Sequence, residues 1–180
     1  DLQNSSRTSF YKKILFPNSN FDKWSSSEST LPQDISKEEF DKKPVLDRFD
    51  HQLKISGINT KHTMFPNFSW SCSDTTKIQN KYDLKKYIIL FPFCSPHLSS
   101  KKWPYYNELI KIIKDKYKNE YKILTAPGPN ELNDAKEFDA ICVLDDEKAL
   151  DISQLSSLIK NSSFVIANDT GPAHMAAHLN

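Results

Sequence analysis

The chain has 180 residues, of which 38% are hydrophobic, and its 24 basic and 23 acidic residues give a net charge of +1. This balance gives no support to a nucleic-acid-binding surface or a polybasic membrane anchor, and no apolar run reaches the roughly 18 residues of a membrane-spanning helix. Three cysteines without a CxxC pair favour reduced thiols in a cytosolic protein over a disulfide scaffold.

The first 65 residues yield three predicted elements: a short helix over residues 5–13, a loop over 17–35 and an amphipathic helix over 44–55. Residues 66–85 are polar and lack a clear period, so they are predicted to connect two domains. The predicted division places the first domain and its linker at residues 1–80 and the second domain at residues 81–180.

The second half of the chain alternates strands and helices. Short apolar runs predict buried strands at residues 87–91, 122–125, 139–144 and 164–167. Helices are predicted at residues 103–121, 131–138 and 152–160, the last with Asp151 or Ser153 as its N-cap. This alternation predicts a parallel sheet covered on both faces, hence a Rossmann-like α/β unit. The sequence has three glycines and no GxGxxG, so NAD or FAD is not expected.

The residues from Phe164 to Asn180 read FVIANDTGPAHMAAHLN, a strand followed by a polar turn and a helix of small residues. Backbone N–H groups at such a helix start can hold an anion. Asp169 or Thr170 would cap the helix, and Gly171 would let a ligand approach the backbone. An ordinary capped helix with a surface histidine is the alternative interpretation.

Two further polar loops follow the first two strands of the sheet. Residues 95–104, SPHLSSKKWP, could offer hydroxyl and ammonium groups to a diphosphate, and Glu131 in TAPGPNE could accept hydrogen bonds from ribose hydroxyls. Taken singly, each could be a solvated loop or an acid at a helix start. Because parallel strands end at one edge, the three loops together outline a crevice for a nucleotide or phosphosugar.

Two other chemistries are disfavoured by the motifs. His174 and His178 have the spacing of a helical zinc pair, but Met175 stands where HExxH has its glutamate, and no third ligand is evident. No GxSxG is present, which disfavours a serine hydrolase. We therefore expect neither a metal site nor a cofactor.

Several motifs, in order along most of the chain, resemble glycosyltransferase family 9, the heptosyltransferases of bacterial lipopolysaccharide synthesis. They are DLQNSSRT (1–8), VLDRFDHQLKISGI (45–58), SSKKWP (99–104), PGPNE (127–131) and, most specific, NDTGPAH (168–174). The resemblance implies a GT-B fold, two Rossmann-like domains that face each other across a cleft. The chain would carry part of the N-terminal, acceptor-side domain and most of the C-terminal, donor-binding domain.

The resemblance also implies a reaction: inverting, metal-independent transfer of a sugar, heptose, from a nucleotide-diphosphate donor, ADP-heptose, to the lipid-linked lipopolysaccharide core. By match to the family's motifs, Ser95 and Lys101 would contact the diphosphate and Glu131 the ribose. The sugar and phosphate would be lined by Asp169, Thr170, Gly171 and His174.

The resemblance further implies a catalytic base before residue 1, so these residues are expected to be an internal segment that is inactive alone. A lipid-linked acceptor implies a cytoplasmic location at the inner face of the inner membrane, with peripheral membrane contact. Two alternatives stay open: another GT-B enzyme, such as a sugar-nucleotide epimerase, and a non-catalytic nucleotide-binding protein.

Overall fold

The computed structural model describes residue 2 and residues 5–15, 25–61 and 65–179. Residues 17–24 of the predicted loop, and residues 1, 3 and 4 of the first motif, lie outside this part of the chain. The chain divides into two compact units, Asp1–Pro66 and Asn67–Asn180. In the described ranges, no helix has both the length and the apolar character needed to cross a membrane.

The described part of the first unit contains three helices: α1 (Ser6–Leu15), α2 (Lys37–Asp41) and α3 (Val45–Ile55). The helices α1 and α3 confirm the sequence predictions. The short helix α2 was not predicted, because its five residues bury one side chain, Phe40, and so show no apolar period. A capping box between Ser36 and Glu39 begins this helix, and Phe40 packs edge-on against His51 of α3.

A parallel sheet forms the centre of the second unit. Its strands within the described residues are β1 (Tyr87–Phe91), β2 (Lys122–Thr125), β3 (Ile141–Cys142) and β4 (Phe164–Ala167). They lie in the order β3-β2-β1-β4, with Ile89 of β1 opposite Leu124 of β2 and Val165 of β4. This order, 3-2-1-4, is that of the first four strands of a Rossmann sheet, so the predicted parallel α/β architecture is confirmed.

Helices cover both faces of this sheet, as the sequence predicted. They are α4 (Thr76–Tyr82), α5 (Tyr106–Tyr117), α6 (Ile152–Lys160) and α7 (Gly171–Ala177). Ile89 and Phe91 belong to a core that includes side chains of α4 and α6, whereas Ile88 and Leu90 pack with side chains of α5. All five residues of β1 are buried, because the strand has a neighbour on each edge and a core on each face.

The segment 66–85 differs from the predicted linker. It contains a 3-10 helix (Ser69–Ser71) and α4, and both Ile78 and Leu84 lie in the core beside β1. Two buried apolar side chains in twenty residues are too few to produce a periodic signal, and this is why the helix escaped prediction. The second compact unit accordingly begins at Asn67.

The predicted helix over 131–138 is wrong, because this segment forms only a 3-10 helix, Asp134–Glu137. Ala135 is its one buried residue, so no apolar stripe holds a longer α-helix against the sheet. The strand β3 is shorter than predicted, and α5 begins three residues later. Of the two predicted N-caps of α6, Asp151 makes the cap through a capping box with Gln154.

Two isoleucines of α5 test the core assignment. Ile110 is fully buried, whereas 60% of Ile112 is exposed. We expect Ile110→Ala to lower the free energy of unfolding by about 2–5 kcal/mol, because it leaves a cavity in the core. The control Ile112→Ala should stay within about 0.5 kcal/mol of the parent in urea denaturation. Equal losses in the two variants would contradict the packing of α5.

Candidate functional site

A cavity of about 410 Å³ lies at the carboxyl ends of β1, β2 and β4. The chain leaves β1 toward β2 on one side, while β4 lies on the other, so the cavity is at the point where the strand order reverses. Ligands of open α/β sheets bind at this position. Segments after each of the three strands line the cavity, as the three-loop prediction required.

Six of the seven residues predicted to bind the donor, all within the described ranges, line this cavity: Ser95, Lys101, Glu131, Asp169, Thr170 and Gly171. The seventh, His174, is not part of the lining. Its Nε2 lies 3.6 Å from Oδ1 of Asp169, and its side chain is 74% exposed. The fold therefore brings the predicted residues to one place, while their roles toward a ligand stay predictions.

The loop after β1 carries Lys101 to the cavity. This loop forms a 3-10 helix (Pro96–Lys101) that was not predicted, in which the Leu98 N–H bonds to the Ser95 carbonyl. Its last residue, Lys101, directs Nζ to Oδ2 of Asp169 at 2.5 Å. A cation from the β1 loop and an anion from the β4 turn thus meet at the cavity wall.

This ion pair sets the charge state of Asp169. The hydrogen bond from Lys101, and then its positive charge, hold the pKa of the Asp169 carboxyl below its usual range. The ionised pair therefore exists at neutral pH and is lost as the pH falls through the lowered pKa. Because Asp169 is exposed, solvent screens the pair, and its contribution to stability is small.

The turn after β4 leads into α7. Thr170, one of the two predicted caps, is the N-cap residue. Its hydroxyl donates to the Asn168 carbonyl and makes no cap bond to the helix. Nothing lies within 4 Å of the position where a Cβ on Gly171 would stand. Packing within the protein therefore does not demand glycine here, and the backbone of Gly171 is open to a ligand from the cavity.

Glu131 is oriented by the turn after β2. Its Oε2 accepts a hydrogen bond from the Gly128 N–H at 2.8 Å, and the Glu131 N–H donates to the Gly128 carbonyl. A Cβ on Gly128 would stand 3.2 Å from Oε2, so a side chain there would crowd the carboxylate. Gly128 thus allows Glu131 to fold back onto the turn at the edge of the cavity.

Asn168 is the first residue of the NDTGPAH motif, but the sequence analysis gave it no role of its own. It is buried, and its side chain bonds to residues of the β1 loop and of α5. Leu150 and Leu155 of the cavity lining were not predicted either. Leu150 precedes α6 and Leu155 belongs to it, and the apolar face of this helix already accounted for both. The signals available for Asn168 were its place in the NDTGPAH motif and its polar side chain directly after a buried strand.

Metal ligands were not expected from the sequence. In residues 5–15, 25–61 and 65–179, no three His, Cys, Asp or Glu side chains are grouped as a metal ion would need. The ring of His178 packs edge-on against Phe68 with 5.6 Å between the ring centroids, while His174 lies beside Asp169.

Residues 21–180 match glycosyltransferase family 9 (heptosyltransferase). The chain belongs to this family. No protein with a curated description matches it.

Two solved structures of a heptosyltransferase from E. coli, WaaC with ADP and WaaC with ADP-2-deoxy-2-fluoro heptose, resemble this glycosyltransferase family 9 chain. Both are 21% identical to it, with TM-scores of 0.52 and 0.51, over 77% and 76% of its length. The matches cover 43% and 42% of the WaaC chains, so this chain spans less than half of their length. The likeness confirms the predicted α/β fold of GT-B type, of which these residues form a part.

The ion pair at the cavity gives a prediction about pKa. Replacing Lys101 by methionine removes the donor and the charge, so we expect Lys101→Met to raise the pKa of Asp169 toward its usual range. The measurement is a pH titration of carboxyl carbon shifts by NMR. Asp74 serves as an internal reference, because its lowered pKa comes from the hydroxyl and backbone of Thr76. An Asp169 pKa that does not move in the variant would refute the pairing.

Proposed function

We propose that the protein is an inverting, metal-independent glycosyltransferase that moves heptose from ADP-heptose to the lipopolysaccharide core. The observation that most strongly supports this proposal is that the polar loops after β1, β2 and β4 converge on one cavity in a chain of glycosyltransferase family 9. Its volume of about 410 Å³ falls in the range of small-molecule sites. The ADP and fluorinated ADP-heptose named with the WaaC structures support an adenosine diphosphate donor.

Lys101 supplies the positive charge that this reaction needs. The acceptor oxygen attacks the anomeric carbon while the bond from that carbon to the diphosphate breaks, so one displacement inverts the configuration. Negative charge develops on the departing diphosphate, and a fixed ammonium group stabilises it without a metal ion. Asp169 pairs with this ammonium group, and the diphosphate is proposed to take over part of its hydrogen bonding.

The other residues are proposed to fix the donor. Glu131 accepts hydrogen bonds from the ribose hydroxyls, and Ser95 offers its hydroxyl to the diphosphate. Asp169, Thr170 and Gly171 of the β4 turn line the site of the donor's sugar and phosphate. His174, which lies beside Asp169, contributes to the same site.

The same proposal extends to partners and location. The acceptor is a lipid-linked oligosaccharide, so the protein is proposed to work in the bacterial cytoplasm at the inner face of the inner membrane. Contact with the membrane would be peripheral, through the acceptor.

Calorimetric titration of the full-length protein with ADP, UDP and GDP tests the donor site. We expect ADP to bind and Lys101→Met to weaken that binding roughly tenfold or more, the value of one charge-assisted hydrogen bond. The control Lys111→Met removes an exposed lysine from α5, outside the cavity lining, and should leave binding unchanged. Equal weakening by both variants would contradict the assignment of Lys101.

The other outcomes separate the alternative functions. Preference for UDP or GDP would retain the fold and discard ADP-heptose as the donor. Binding of none of the three would favour a protein without this activity. A free epimerised sugar nucleotide as the product, in place of a glycosylated lipid, would favour an epimerase.

A further inference from the structure

The two ends of the loop that carries Ser95 and Lys101 are held by one side chain, that of Asn168. At the start of the loop, Nδ2 of Asn168 donates to the carbonyl oxygens of Pro92 at 2.9 Å and Phe93 at 3.4 Å. At its end, Oδ1 accepts from the backbone N–H of Trp103 at 3.4 Å. The intervening residues 94–102 therefore form a loop closed at its base by a single carboxamide.

The carboxamide has a partner for each of its hydrogen-bonding positions. Its two N–H groups meet two carbonyls, and its oxygen accepts from the Trp103 N–H and, at 3.2 Å, from the Tyr106 hydroxyl. A flipped amide would set N–H against N–H and oxygen against oxygen, so these partners fix its orientation. Asn168 is 7% exposed. Loss of these bonds would lower the free energy of unfolding, because the buried amide would be left without partners.

We call the Asn168 carboxamide with its four hydrogen bonds the clamp, and aromatic rings pack around it on the α5 side. The ring of Tyr106 lies edge-on between Trp103, at 5.2 Å, and Phe138, at 6.2 Å. Its hydroxyl also reaches the Phe91 carbonyl, which in turn accepts from the Asn168 backbone N–H. The ends of β1 and β4 and the start of α5 are thus tied together directly beneath the loop.

We propose that Asn168 is a positioning residue that acts on sugar transfer through Lys101, by holding the loop that carries this lysine against the turn that carries Asp169. The proposal rests on the proposed function for its kinetic consequence, but the clamp itself does not. Asn168 is adjacent in sequence to Asp169, so one residue fixes the turn and the loop relative to each other. The clamp therefore sets where the ammonium group of Lys101 stands when the diphosphate departs.

A double-mutant cycle on the full-length protein tests this role. Asn168→Leu keeps the approximate size of the side chain and removes its hydrogen bonds. We expect it to lower kcat/KM by about a hundredfold, mainly through kcat, because a small displacement of a group that acts in the transition state has a cost of this order. In a Lys101→Met background, the same substitution should change kcat/KM by less than about twofold, because the group that it positions is gone.

Asn107 provides the matched control. Both ends of its side-chain amide also bond to backbone groups. Nδ2 donates to the Glu137 carbonyl, and Oδ1 accepts from the Asp139 N–H. It does not line the cavity. Asn107→Leu should leave kcat/KM within about twofold of the parent. Equal losses for Asn168→Leu in the parent and in the Lys101→Met background would overturn the proposal.

Hydrogen exchange separates a failure of the clamp from a failure of the proposed function. The backbone N–H groups of Leu98 and Lys102 bond within the loop, and both should exchange faster in Asn168→Leu but not in Asn107→Leu. Unchanged exchange would refute the clamp even in an active transferase. Faster exchange in a protein that transfers no sugar would uphold the clamp and refute the proposed function, and with it the role in transfer.

If Asn168→Leu does not fold, Tyr106→Phe decides the question, because it removes one of the four bonds to the carboxamide. A loss of kcat present in the parent and absent in the Lys101→Met background would support the proposal. A loss of the same size in both backgrounds would overturn it.

Discussion

Parallel pairing of β1 with both β2 and β4 is the constraint on which the rest of the second unit depends. Because the three strands run in one direction, the loops that follow them all begin at the same edge of the sheet, although they are far apart in sequence. The 3-2-1-4 order separates the loops after β1 and β4 enough to leave a cavity between them. The hydrophobic cores on both faces hold this register. The packing of β1 therefore also determines which loops meet at the cavity.

The site gathers charge of both signs on surfaces that remain open to solvent. Lys101 and Asp169 form an ion pair, so neither charge lies uncompensated beside the cavity. We propose that a diphosphate binds by sharing this lysine with Asp169. Preorganised charge of this kind is the most effective way for a protein to stabilise a leaving group in the absence of a metal ion. The buried carboxamide of Asn168 bonds to both ends of the loop that carries this exposed lysine.

The sequence predicted those parts of the fold that repeat a pattern over enough residues. The strands β1, β2 and β4 have the predicted bounds, because an uninterrupted apolar run is readily identified, and α6 shows both an apolar face and a capping box. The short helices α2 and α4 were missed, because a single buried side chain such as Phe40 carries no period. Local residue preference also placed a helix at 131–138, where the absence of an apolar stripe leaves only a 3-10 helix.

The part of the site that depends on sheet topology could be predicted from the sequence. Knowing that parallel strands end together was enough to gather Lys101, Glu131 and Asp169 at one edge. The position of His174 outside the cavity lining, and the four bonds of Asn168, depend on side-chain orientation and on contacts between distant segments. Neither leaves a periodic trace in the sequence.

A crystal structure of the full-length protein with ADP would test the proposed donor site most directly. We expect the diphosphate in the cavity between the β1 loop and the β4 turn, with Nζ of Lys101 at hydrogen-bond distance, about 2.7–3.2 Å, from a phosphate oxygen. A diphosphate bound elsewhere, with Lys101 still paired to Asp169 alone, would contradict it.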